Sequence, residues 1–107
     1  MASVKPQFEM TDTKGNTVHY ASSVGTTPVA IPTVAGNTIA EFWIENDLHN
    51  TPVTKRLSFS CDGGTTYTEL NVSEGMAWTP KGDVKQIFIK ASVAGTLYKM
   101  IVNYEEY

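Results

Sequence analysis

One short run, "LSFSCDGGTTYTEL" over residues 57–70, gathers the residue types most able to do chemistry: a lone cysteine, an acid and two glycines. A cysteine nucleophile needs a neighbouring base to lower its pKa. The two histidines, His19 and His49, lie in other segments, with no local motif tying either to Cys61. Cys61 instead alternates with Leu57 and Phe59 on one strand face, which predicts a buried, inert thiol. Asp62-Gly63-Gly64-Thr65 lies between two strand-like runs, and glycine there supplies the positive φ that a hairpin turn needs. A phosphate-cradling loop would need a helix after it, and here a strand follows.

Metal chemistry finds as little support. Two histidines and one cysteine at scattered positions show no zinc spacing. A hard-ion site would have to draw on Asn46, Asp47, Asp62 or Asp83, and these match no Asp-x-Asp-x-Asp pattern. Carboxylates are dispersed singly, with no acid/base couple. The expectation is a protein without catalytic residues, metal or cofactor.

The elements that would carry any site are strands. No segment keeps apolar residues at helical spacing for three turns, whereas period-two alternation broken by turn residues recurs along the chain. Val4, Phe8 and Met10, the turn Thr13-Lys14-Gly15-Asn16, then Val18 and Tyr20 predict a first hairpin. Pro28 and Pro32 confine "VAI" to an edge strand or an extended connection. "TIAEFWIEN" places Ala40, Phe42 and Ile44 on one face and Glu41, Trp43 and Glu45 on the other. "RLSFSC", "TTYTEL", "MAWT", "KQIFIKAS" and "TLYKMIVNYEE" supply the remaining strands. The fold expected is all-β: a two-sheet antiparallel β-sandwich of seven to nine short strands, jelly-roll or immunoglobulin-like, with a small barrel as the alternative. It forms a single domain over residues 1–107, with 1–37 as an N-terminal hairpin or arm.

Composition narrows the partners. The chain has 107 residues, 18% charged, and a net charge of −3, with no cluster of Lys or Arg. A nucleic-acid partner would need a basic face, and a membrane span about 20 apolar residues, so neither is expected. The N-terminal "MASVKPQFEM" has no apolar core of a signal peptide, and a single cysteine suits a reducing compartment, so synthesis in a cytoplasm is expected. Alternation also turns Trp43, Phe88, Leu97 and Ile101 away from the predicted core. Either a bulge buries them or they form a protein interface, where aromatic anchors are common.

A resemblance bears on the partner. "AEFWIEND…SFSCDGGTTYTELNVSEGMAWTP…KQIFIKAS" resembles small structural proteins of tailed-bacteriophage virions. The shared features are a strand ending in asparagine (Ile44 to Asn46), a "SFDGGTTY"-like strand (Ser58 to Tyr67), a segment from Gly75 to Trp78, and an "IxIKA"-like strand (Ile87 to Ala91). The likeness covers about residues 38–104 and encodes turn and core positions rather than a site. It implies a β-sandwich that decorates or cements a capsid, located in the virion and assembled in the host cytoplasm. Its partners would be the major capsid protein or other virion subunits, with homo-oligomerisation expected. The alternatives are a neck or tail accessory protein, or a carbohydrate-binding module using Trp43, Trp78 or Tyr67 as a stacking platform.

Overall fold

The computed structural model describes residues 8–11, 17–34 and 36–105, the first four by backbone alone. Among them are nine strands and no helix. These are β1 (Phe8–Thr11), β2 (Thr17–Val24), β3 (Val29–Ile31), β4 (Ile39–Asn46), β5 (Arg56–Ser60), β6 (Thr68–Asn71), β7 (Gly75–Trp78), β8 (Ile87–Ala91) and β9 (Thr96–Tyr104). They form a five-stranded sheet, ordered β1-β2-β9-β4-β7, and a four-stranded sheet, ordered β3-β8-β5-β6. Every pairing is antiparallel. The sheets stack as a sandwich, with β2 near β8, β9 near β5 and β4 near β6.

The first hairpin forms as the alternation predicts, with Thr11 opposite Val18; Val4 and its turn residues lie outside the described residues. β1, β2 and β3 are woven into both sheets: β2 pairs with β9 along its full length, and β3 is the proline-bracketed edge strand.

Alternation is also what builds the core. Ile44, Leu57, Ile87, Ile89 and Val102 are 0% exposed. Each contributes about 1.5–3 kcal/mol of burial. Across the layer Phe42 meets Phe59 edge to face, with ring centroids 5.5 Å apart. One face assignment changes. Ala40 does not share the inward face of Phe42 and Ile44, because the register shifts between Ile39 and Glu41. That irregularity turns Ile39 inward, at 1% exposed, and leaves Ala40 half-buried. A bulge does this by adding one residue to one strand and so inverting the alternation before it.

Antiparallel order sorts the loops. Those at 25–28, 47–55, 72–74 and 92–95 gather at one end, here the Leu48 end. Those at 32–34, 36–38, 61–67 and 79–86 gather at the other, the Cys61 end.

Candidate functional site

At the Leu48 end, β4 finishes on Asn46, whose side chain is 0% exposed. A buried carboxamide costs free energy unless each polar atom finds a partner. Here Nδ2 donates to the carbonyls of Lys55 (3.2 Å) and Leu70 (2.9 Å), while Oδ1 accepts from Asn50 Nδ2 at 2.6 Å. Asn50 in turn donates to the Leu97 carbonyl at 2.8 Å and accepts from the Leu97 N–H at 2.7 Å. Two asparagines four residues apart therefore tie the 47–55 loop to β6 of one sheet and β9 of the other. Beside them, burial alone would raise the pKa of Asp47. Hydrogen bonds from the backbone N–H and ring of His49, with the Lys99 charge, outweigh it and hold the carboxyl below its ordinary value.

The loops fixed this way are apolar outside. Leu48 and Val53 are 58% and 71% exposed, and Val93 and Leu97 in the neighbouring hairpin 45% and 39%. The two loops are laced together, since the Ser92 N–H donates to the Arg56 carbonyl and Ser92 Oγ accepts from the Arg56 N–H, both at 2.9 Å. Exposed apolar side chains on loops held this rigidly lose little entropy on meeting a partner.

The four outward residues expected from alternation do not lie on one surface. Trp43, Leu97 and Ile101 belong to the solvent face of the five-stranded sheet, and Phe88 to the opposite side of the sandwich, paired with Ala30 and Ser60. Trp43, Phe88 and Ile101 are half-buried, and Leu97 is exposed. Register sets Trp43 directly beside Ile101 on β9 and Ala77 on β7, with His19 completing the row on β2. The indole packs closely over Gly75: a Cβ there would lie 3.1 Å from Trp43 Nε1, and the ring would have to give by a few tenths of an ångström. The next row holds Thr17, Asn103 and Glu41. Thr17 Oγ1 donates to Asn103 Oδ1, and Asn103 Nδ2 to Glu41 Oε2 at 2.9 Å. The two rows border a cleft of about 230 Å³ reaching from Trp43 and Ile101 to Glu41, Asn103 and Thr79.

At the Cys61 end the run 57–70 is a hairpin of β5 and β6, and Gly63 and Gly64 hold φ of 75° and 90°. Ser60 Oγ donates to Asp62 Oδ1 at 2.6 Å, and that oxygen also accepts from the N–H groups of Thr65 and Thr66. The hydrogen bond from Ser60, with those from Thr66 and Thr65, draws the Asp62 pKa down to about 2. Burial, then the charge of Asp62, pushes the Cys61 thiol up to about 11, the reverse of what a nucleophile needs. His49 lies beyond the opposite end of β5, and His19 on the other sheet. A second cleft of about 200 Å³ opens between Cys61, Thr68, Trp78, Pro80 and Val84. Trp78, 48% exposed, stands at its rim because β7 is an edge strand. Among the described residues no three His, Cys, Asp or Glu side chains converge as metal ligands; of the hard-ion candidates, Asn46 belongs to the knot at the other end, and Asp47 bonds His49 and Lys99 there.

No family model, curated protein or solved structure matches the chain. Its geometry therefore carries the functional argument. Reading the sequence alone overlooked Asn46 and Asn50 as a structural hub and Leu48, Val53 and Val93 as exposed apolar loop residues. The available signal was an asparagine closing β4 with a second four residues on, in a loop that also carries two aliphatic residues.

Proposed function

We propose that this protein is a non-enzymatic structural protein of a tailed-phage virion, binding the major capsid protein as a decoration or cement subunit. The observation that carries the reading is the Leu48 end, where Leu48 and Val53 are exposed on a loop locked by the buried Asn46–Asn50 knot, with Val93 of the adjoining loop and Leu97 at the start of β9 exposed beside it. Four of the seven exposed large hydrophobic side chains among the described residues lie at this end, and apolar surface gathered at one end marks an interaction site. The motif resemblance in residues 38–104 supplies the class of partner, and Asn46, one of the positions carrying it, is the hub of that knot. Docking by this end leaves both outer sheet faces available to neighbouring subunits or to solvent. A standard interface buries about 1,600 Å² in total, within reach of a domain end flanked by the strands beside it.

The test is co-sedimentation of the purified protein with expanded, undecorated capsids. Saturation at a fixed ratio to the capsid subunit is the expected result. Failure to bind at micromolar concentration contradicts the reading.

A further inference from the structure

We propose that the cleft on the solvent face of the five-stranded sheet is a binding site for a gluco-configured pyranose sugar. The proposal is independent of the capsid reading, because it concerns a different surface and no residue of the Leu48 end.

Three observations converge on this ligand class. The first is an apolar wall. Trp43 and Ile101 are cross-strand neighbours, and the indole packs closely over Gly75 of β7. A pyranose whose hydroxyls are equatorial presents a flat face of C–H groups, which an indole and an aliphatic side chain can cover.

The second is a polar edge set one strand row away. Asn103 is fixed from both sides by Thr17 and Glu41. Those bonds use Asn103 Oδ1 and one amide hydrogen, and they use Glu41 Oε2. Glu41 Oε1 and the second amide hydrogen of Asn103 remain as an acceptor and a donor on neighbouring residues of this row. Adjacent sugar hydroxyls ask for that combination, and a carboxylate acceptor strengthens the bond. A purely apolar partner would leave these groups desolvated and unpaired, at a cost.

The third is shape and size. The site is a recess, of about 230 Å³, between Glu41, Trp43, Thr79, Ile101 and Asn103. That is below the roughly 300–1,000 Å³ of sites for drug-sized ligands, and suits one or two sugar units of a longer glycan that continues into solvent. A recess receives a protruding ligand, in contrast to the loops of the Leu48 end, which themselves protrude.

Cellotetraose and chitotetraose are the probes, followed by amide and indole resonances of the full chain. Saturable shifts at Trp43, Ile101 and Asn103 with at least one of them, and none at Leu48 or Val93, are expected. The Glu41→Gln and Asn103→Ala variants should each weaken binding about tenfold, as loss of a hydrogen bond to a charged or fixed partner does. Trp43→Ala should abolish it, and since that change removes half-buried surface, Trp43→Phe serves beside it and should retain weakened binding. Leu97→Ser lies outside the cleft and should bind sugar as the parent does. Absence of shifts with both sugars at about 10 mM, weaker than any useful site, overturns the proposal. So do shifts confined to another surface, or unchanged binding in the Glu41→Gln and Asn103→Ala variants.

Discussion

Asn46 and Asp62 each gather three side-chain hydrogen bonds near a strand end, and each organises a loop. They differ in where the bonds are made. Asn46 is wholly enclosed, whereas Asp62 is exposed. Water can replace what Asp62 does and cannot reach what Asn46 does, so equal hydrogen-bond counts imply unequal energies. The difference teaches why the Leu48 end holds its apolar side chains on anchored loops while the turn around Asp62 is solvated.

The sharpest way to break this comparison is Asn46→Ala. It removes one partner each from the Lys55 and Leu70 carbonyls and from Asn50 Nδ2, in a place water cannot replace them, and should cost about 3 kcal/mol. For a domain of this size that lowers Tm by more than about 10 °C. Should thermal unfolding shift no more than it does for Asp62→Ala, the knot is not what holds the loops.

Next in size is Gly64→Val. Its φ of 90° is hostile to a β-branched residue, and a Cβ would sit 3.1 Å from the Tyr67 hydroxyl. A loss of about 1–3 kcal/mol is expected in denaturant unfolding. Gly63→Val, which has positive φ but open space around it, should lose less.

Smaller again is the effect of acid on Asp62. Its folded pKa of about 2 lies below the ordinary 3.8, so its contribution to stability is complete above the ordinary value and is lost as pH falls through the folded one. Melting curves of the parent and of Asp62→Asn should differ at pH 5 and converge toward pH 2. A gap that widens in acid would mean that the hydrogen bonds do not favour the carboxylate. Smallest is the reactivity of Cys61. With a pKa of about 11, only about one thiol in a thousand is ionised at pH 8. Native labelling should be slow and become fast in denaturant; rapid native labelling would place a base beside the thiol.

These outcomes follow the line between what was and was not legible in the sequence. Strands were legible because a two-residue period is a local property: Ile87, Ile89 and Ala91 face inward and Phe88 and Lys90 outward, as the alternation requires. The hairpin at 57–70 was legible because glycine is the residue that tolerates the turn. Ala40 was misassigned because a bulge arises from the fit of β4 to β9, which no local pattern encodes. Alternation could not place Trp43 and Phe88 on opposite sides of the molecule, because a face is shared only once strand order is known. The role of Asn46 was hidden for the same reason, since the Leu70 carbonyl of the other sheet meets it only after both sheets assemble.

Hydrogen exchange of the protein, free and bound to undecorated capsids, tests the central claim most directly. Docking by the Leu48 end predicts new protection in the 47–55 and 92–97 segments, with exchange near Glu41, Trp43 and Asn103 unchanged. Protection confined to the Trp43 face, with the Leu48 and Val93 loops exchanging as in the free protein, would contradict it.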